Sequence, residues 1–368
     1  MAITITEQPI GPILNAYNNS ILRFGTDSGS PARAVVLVND QRSEITPNKG
    51  QFYINIKSAV KMIINQDAFS DTLTVQNGNI VIKDYTLTAR VTVDISVFLT
   101  NGNLESKTLE LDYTKAVEQL FPEHYVKNNS IRVLSPSIDN IKNLTYFEGY
   151  PFDIPIYSNN FREITISNML SGQSITFQLL KGVSRIFLSN GENDNNGFEN
   201  TMPLALGNNI LKISYDGGEA MVQVNKKPVR CGVYLKFFNE EGAWSYWLFE
   251  GLYTGKISHR TIGTVNRDYS NIDKTMAREI ITGKTAGIEL SLNTGIIDVR
   301  EQKVLEQIYS SAKCYMYSKL ELQPFKPTDF KAVQVKDGSN DIINTKMNMK
   351  RFEVNIELPQ KYTQTYAG

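Results

Sequence analysis

Two histidines, His124 and His259, are the side chains best suited to acid–base chemistry or zinc binding at neutral pH. A zinc site needs further ligands at close spacing, and neither histidine has them. His124 follows a predicted helix end and is expected in an exposed loop. The Gly-x-Ser-x-Gly nucleophile elbow is also missing from the sequence. We therefore predict that the chain is not an enzyme, with a hydrolase as a remote alternative because triads occur in any chain order.

Two loops resemble ligand-binding motifs without completing them. Gly283, Lys284 and Thr285 match the end of a phosphate-binding loop, but the glycine required five positions earlier is Arg278. We expect these residues to form a solvated turn between strands. In the loop 190–200, acidic and amide residues match the first positions of a calcium loop, but Pro203 occupies the position of the bidentate Glu. No metal or cofactor is predicted, and a contact of the 190–200 loop with a partner stays open.

The balance of charge argues against a nucleic-acid-binding function. The chain has 368 residues, with 38 Lys and Arg against 38 Asp and Glu, whereas proteins that neutralise phosphates usually carry a basic excess. A net charge of zero also lowers the repulsion between copies.

The first residues do not resemble a signal peptide, and no apolar run approaches a membrane span. Cys231 and Cys314 are predicted to be free, buried thiols, which suits a reducing cytoplasm.

Hairpin signals dominate the pattern of the sequence. Apolar residues alternate with polar ones from Val91 to Leu99, and Asn101-Gly102 follows as a predicted type I′ turn. Similar hairpins are predicted around Asn77-Gly78 and across 210–224. Helical spacing is confined to three segments, namely 59–64, 113–121 after an Asp112 N-cap, and 298–312 with a capping box of Asp298 and Glu301.

These patterns predict a mainly β protein, with tandem β-sandwich or barrel-like modules and a few short helices. At 41.5 kDa the chain exceeds one ordinary core. Polar breaks near residues 130 and 228 suggest three modules: 1–130 with two short helices, 131–228, and 229–368 with one amphipathic helix.

The segment 233–253 contains both tryptophans of the chain and is apolar on both strand faces. Such a hairpin is buried on both sides, either by its own domain or by a neighbouring subunit. Aromatic residues concentrate at the energetic centres of interfaces. The candidate interface residues are Tyr234, Phe238, Trp244, Tyr246, Trp247 and Phe249. A core hairpin is the alternative, and a platform for stacking sugars is a further one.

Three short stretches belong together: residues 3–9 with 14–18, residues 233–249, and residues 352–364. They resemble tail or virion proteins of bacteriophages and prophages of Bacteroidetes-type bacteria. The resemblance covers short, non-catalytic strings and carries no catalytic residues. It implies a tail-tube, distal-tail or baseplate-type subunit, assembled in the host cytoplasm and located in the virion.

The sequence thus predicts a structural subunit of a phage tail. Its expected partners are further copies of itself, in a ring or trimer, and other virion proteins, without a specific nucleic acid or a membrane. A receptor- or glycan-binding β-sandwich protein at the tail tip, contacting a host surface glycan, is the alternative function.

Overall fold

The structure is a computed structural model that describes residues 3–71, 73, 79–119, 131–138, 141–191, 197–228, 230–267, 272–275, 277–318, 329–338, 350–360 and 363. The chain divides into two compact units. Unit 1 comprises Met1–Val229 and Phe238–Ser245, and unit 2 comprises Arg230–Phe237 and Tyr246–Gly368. Most of the predicted module 229–368 falls in unit 2, whereas its segment Phe238–Ser245 belongs to unit 1.

Unit 1 begins with a two-layer sandwich. One layer is a three-stranded sheet in the order β1 (Ile3–Glu7), β3 (Ile21–Thr26), β6 (Gln51–Asn55). The other is a five-stranded sheet in the order β2 (Leu14–Asn15), β9 (Leu104–Thr114), β8 (Thr88–Leu99), β4 (Pro31–Val38), β5 (Gln41–Ile45). Helix α1 (Lys57–Ile64) adds Val60 to the core that both layers share. The alternating residues of β8 fill this core because successive side chains of a strand point to opposite faces.

The rest of unit 1 contains two more sheets and the short helix α2 (Phe198–Thr201). The four-stranded sheet has the order β10 (Ile131–Val133), β13 (Pro151–Ser158), β16 (Gly182–Asn190), β7 (Val81–Asp84). The six-stranded sheet has the order β11 (Ser137–Ile138), β12 (Ile141–Phe147), β18 (Gly218–Lys227), β17 (Gly207–Tyr215), β14 (Arg162–Asn168), β15 (Ser174–Leu179).

The predicted boundary near residue 130 is crossed by a strand. β7 belongs to the first predicted module, yet it pairs with β16 of the second, with Asp84 opposite Val183. The linker is predicted within 122–137. Residues 122–130 lie outside the described residues, and Ile131–Val133 of the same segment form β10. The subdivision of 1–228 into two modules stays a prediction.

Unit 2 is built on a seven-stranded sheet. Its order is β20 (Trp244–Phe249), β19 (Val233–Phe238), β23 (Cys314–Ser318), β24 (Asp329–Val335), β25 (Lys350–Glu357), β22 (Glu279–Ile297), β21 (Thr254–Asn266). Helix α3 (Val299–Ser310) follows β22 and carries the predicted capping box of Asp298 and Glu301. The mainly β fold class is confirmed.

Two hairpins are confirmed, one with a different turn. β17 and β18 meet at a two-residue turn, with Tyr215 opposite Gly218. β8 and β9 pair as predicted, but the amide of Gly102 donates to the carbonyl of Leu99, and the positive φ in this turn lies at Gly102 rather than at Asn101. This is a type I turn followed by a left-handed glycine. The hairpin predicted around Asn77-Gly78 falls at 74–78, outside the described residues.

Three local predictions are wrong. The segment 113–121 does not begin a helix, because β9 continues to Thr114 and Asp112 binds Arg90 across the sheet (Nε–Oδ1 2.9 Å) instead of capping a helix. Gly283 to Thr285 is not a turn, since it pairs with β21 inside the long strand β22. Cys231 is exposed rather than buried, whereas Cys314 is buried as predicted.

Candidate interaction surface

The six candidate interface residues lie in the interior of the chain. Tyr234, Phe238, Trp244, Tyr246, Trp247 and Phe249 are each 5% exposed or less. The Tyr234 and Tyr246 rings stack with centroids 5.9 Å apart, and Phe238 meets Trp244 edge-on at 5.0 Å. Their faces are therefore used by the chain's own packing and are not open to a second copy or to a sugar ring. The structure favours the core hairpin that the sequence left as an alternative.

The tip of this hairpin is fixed within unit 1 by a buried ion-pair network, the tip network. Glu241 lies in the turn between β19 and β20 and is 4% exposed. Its carboxylate accepts from Arg132 Nη2 at 2.6 Å and from Lys142 Nζ at 3.1 Å. Arg132 Nη2 also reaches Glu118 Oε2 at 3.0 Å. Two cations and two carboxylates thus neutralise one another around the turn.

The pKa values of the two carboxyl groups of the tip network are shifted in opposite directions. Burial alone would raise the pKa of Glu241, but the charges of Lys142 and Arg132 outweigh it and hold that pKa below its usual value. Burial and the neighbouring charge of Glu241 together raise the pKa of Glu118 above its usual value. Glu241 is therefore the carboxylate that the network stabilises most.

A second buried cluster surrounds Arg185 on β16. Its guanidinium binds Asp153 in a bidentate manner at 2.7 and 2.9 Å. Its Nη1 lies 3.0 Å from Asp71 and 3.3 Å from Asp84. Arg185 is 2% exposed. Since Asp84 lies on β7 and Asp153 on β13, the cluster joins three strands of the four-stranded sheet.

These clusters do not form a metal site. In the part of the chain that the structure describes, no group of three or more His, Cys, Asp or Glu side chains is arranged to bind a metal ion. The arginine fork occupies the carboxylate oxygens of the Arg185 cluster. The arrangement joins strands, and its chemistry is that of structural ion pairs.

The residues that the sequence singled out for chemistry are scattered. His124 lies outside the described residues, and His259 is exposed on β21 opposite Ala286. The centre of the 190–200 loop, residues 192–196, is also outside the described residues. Burial raises the pKa of the Cys314 thiol to about 12, which leaves it protonated and unreactive at neutral pH. The prediction that the chain is not an enzyme stays a prediction.

The surface open to a partner is a two-stranded ribbon in unit 2. β25 pairs with β22 only from Glu289 onward, so Ser258–Asn266 of β21 and Glu279–Gly287 of β22 pair only with each other among the described strands. We call these nine-residue segments the ribbon arm. At about 3.3 Å per residue, the ribbon arm is about 30 Å long. One contact from elsewhere is a hydrogen bond from the Thr363 hydroxyl to the Lys284 carbonyl.

The ribbon arm exposes apolar side chains. Ile262, Val265 and Ile281 are 59%, 52% and 42% exposed. The base of the ribbon arm borders a groove of about 960 Å³ that is lined by Ser258, Arg260, the end of α3, β24 and the chain after β25. Cys314 also lines this groove. Ribbon arm and groove together form an irregular, partly apolar surface.

A second open element is the edge strand β15 in unit 1. No described strand pairs with its outer side. Its six residues carry no charge and include neither proline nor lysine, the residues that usually protect a free edge. Phe161 and Leu180, at one end of the β14–β15 hairpin, are 61% and 46% exposed.

Sequence reasoning missed both open elements. A clue existed for the ribbon arm, because residues 254–267 contain three basic residues and no acidic one, with little apolar alternation. A strand with that composition is seldom covered on either face. No comparable clue marks β15, whose apolar alternation is that of an ordinary half-buried strand.

Comparisons with known proteins identify no family for this chain. No protein-family model matches the chain, and no curated protein matches its sequence. Among solved structures, a titin A168–A169 fragment is 12% identical, with a TM-score of 0.27 over 62% of this chain and 100% of that one. A tetra-tandem repeat from the extending region of a large adhesion protein is 11% identical, with a TM-score of 0.23 over 97% of this chain and 73% of that one. A bacterial ice-binding adhesin is 10% identical, with a TM-score of 0.17 over 79% and 91%.

These likenesses are too distant to carry a functional argument, since every TM-score is below 0.5. A separate finding concerns membranes: in the described part of the chain, no helix is long and apolar enough to cross one.

Proposed function

We propose that this chain is a structural subunit of a bacteriophage tail or tail-like particle, which acts by self-assembly and by contacts with other particle proteins. The observation that carries the proposal is the free edge of β15. An uncharged edge strand beside exposed Phe161 and Leu180 is an aggregation hazard in a lone protein, and closed symmetry in an assembly covers such an edge.

Two sequence features support the same proposal. The stretches 3–18, 233–249 and 352–364 resemble virion proteins of phages, and the net charge of zero leaves little repulsion between copies. Mainly β modules with buried ion-pair clusters suit a subunit that contributes shape to a particle.

The test is the protein composition of purified particles. Mass spectrometry of gradient-purified particles, from the organism that encodes the chain, should find it in multiple copies per particle. Its absence from intact particles contradicts the proposal.

The role of the β15 edge is tested by a charge placed on it. Gln178→Lys on β15 should lower incorporation into particles, because a lysine on an edge strand opposes sheet extension. Gln223→Lys makes the same change on β18, an interior strand of the same sheet, and should be incorporated normally. Equal incorporation of both folded variants would show that β15 is not part of the assembly surface.

A further inference from the structure

In the part of the chain that the structure describes, the ribbon arm has no third strand to support it. A two-stranded hairpin by itself is marginally stable in water, and a third strand or a packed layer usually stabilises it. Ser258–Asn266 and Glu279–Gly287 have no third strand among the described residues. Their side chains Ile262, Val265 and Ile281 are nevertheless apolar and about half exposed. A surface of this kind gains stability when another molecule covers it.

We propose that the ribbon arm docks against a second copy of this chain, on a surface other than that copy's own ribbon arm. This inference rests on the proposed function, because it names the contact through which copies assemble.

Charge favours a second copy as the occupant. From Thr254 to Ile288 the chain has six Lys and Arg against three Asp and Glu, which leaves 32 against 35 in the remainder. The segment from Thr254 to Ile288, which contains the ribbon arm, therefore has an excess of three positive charges. The rest of the same molecule has an excess of three negative charges. A contact between the ribbon of one copy and the body of the next is complementary in charge.

Two features argue against pairing between two ribbon arms. β21 carries Lys256, His259 and Arg260 without an acidic residue, so its edge would meet like charge in an identical edge. The register also shifts around Gly263, and a bulge of this kind interrupts strand pairing. The apolar faces of the ribbon arm are thus better suited to docking than its edge. Contact between unlike surfaces of identical chains propagates into a ring or a filament.

The ribbon arm is large enough to supply most of a specific contact. A ribbon about 30 Å long and about 10 Å wide presents roughly 300 Å² on each face. Both faces together supply roughly 600 Å². A standard interface buries about 800 Å² per partner. Nucleic acid is a poorer match, because half-exposed isoleucine and valine and three acidic residues do not suit a phosphate backbone.

The test uses the full chain. Sedimentation velocity over a wide range of protein concentrations measures self-association of the wild type and of an Ile262→Glu, Val265→Glu double variant. We expect the dissociation constant of self-association to be at least about tenfold higher in the double variant than in the wild type. Leu206→Glu, at a 64% exposed leucine in unit 1, is the matched control and should associate as the wild type does. Circular dichroism establishes that each variant is folded.

A photoreactive benzophenone amino acid at position 262 locates the contact. We expect crosslinked dimers of the purified chain, with the crosslinked peptide outside 258–287, and none when the same group is placed at position 206. No crosslink and no concentration dependence at any soluble concentration would overturn the proposal, as would crosslinks only between ribbon arms. Binding of a labelled duplex oligonucleotide that Arg260→Ala and Lys284→Ala abolish would assign the ribbon arm to nucleic acid instead.

The two proposals fail separately. A chain that is found in purified particles but associates equally well with the arm variants refutes the arm contact and leaves the proposed function standing. If the chain associates through the ribbon arm but is absent from particles, the arm contact stands and the proposed function is refuted.

Discussion

Two of the buried charge clusters in unit 1 are each centred on an arginine that binds more than one carboxylate. Arg185 binds Asp71, Asp84 and Asp153, and Arg132 binds Glu118 and Glu241. Removing one member of such a cluster leaves an uncompensated buried charge, which costs far more than the loss of a surface pair. At the scale of single residues, these arginines should therefore matter most to the stability of unit 1.

Arg185→Met tests the first cluster. The substitution removes the cation that Asp71, Asp84 and Asp153 share, so we expect the free energy of unfolding to fall by about 3–5 kcal/mol. Urea denaturation measures the change. Arg33→Met removes an exposed partner of Glu44 and should cost less than about 1 kcal/mol. Similar losses in the two variants would mean that the Arg185 cluster does not hold the sheet together.

Glu241→Gln tests the tip network through pH. The folded-state pKa of Glu241 is depressed, so its contribution to stability is fully present above the ordinary pKa of glutamate and is lost as pH falls through the folded value. We expect the variant to be about 2 kcal/mol less stable than the wild type at pH 7, a gap that narrows in acid. Thermal or urea unfolding across the range from neutral to acidic pH measures it. Glu110→Gln, at an exposed pair, should show little difference at any pH. A stability difference between Glu241→Gln and the wild type that stays constant down to acidic pH would contradict the lowered pKa of Glu241.

At the scale of elements, the hairpin of β19 and β20 depends on the shape of its turn. Gly242 has a φ of +87° in this turn, and a Cβ there would lie 2.7 Å from the backbone nitrogen of Ala116. The turn also binds the backbone of the same segment, since Val117 N donates to Glu240 O at 2.9 Å. The glycine thus meets two demands, a left-handed backbone and close approach to another chain segment.

Gly242→Ala and Gly102→Ala separate these two demands. Both glycines have a left-handed φ, +87° and +85°, but a Cβ at Gly102 meets nothing within 4 Å. We expect Gly102→Ala to cost about 1 kcal/mol, the backbone penalty alone. Gly242→Ala should cost clearly more, because the backbone of Ala116 must move. Chemical denaturation of the two variants gives the comparison, and equal costs would show that the turn can shift freely.

Across the whole molecule, both cysteines lie in unit 2, and they differ in exposure. Cys231 is exposed, whereas Cys314 is buried inside unit 2 with its thiol pKa raised to about 12. Thiolate, rather than thiol, reacts with disulfide reagents. The single chain therefore has one thiol open to reagent and one that reports on the integrity of unit 2.

Thiol titration tests this difference in reactivity between Cys231 and Cys314. The native chain should react with one equivalent of an aromatic disulfide reagent at once, and a Cys231→Ser variant should react only as urea unfolds unit 2. A Cys314→Ser variant is the complementary control and should react fully in the native state. Rapid native reaction of the Cys231→Ser variant would show that the core around Cys314 opens readily.

Features that depend on neighbours along the chain could be predicted from the amino-acid sequence. Alternation from Val91 to Leu99 fixed a strand face, and Asp298 with Glu301 fixed a helix start, because strand faces and caps are set within a few residues. Periodicity failed at 113–121, where pairing with β8 overrides a helical spacing.

Which surfaces are covered depends on contacts between distant parts of the chain, and these could not be predicted from local patterns. The aromatic residues of 233–249 read equally well as interface or core, and burial at 5% or less assigned them to the core. The ribbon arm is open because β25 ends opposite Glu289, and the length of one strand says nothing about where its neighbour stops. Arg185 likewise meets Asp71, Asp84 and Asp153 from distant parts of the chain, an encounter that no local pattern encodes.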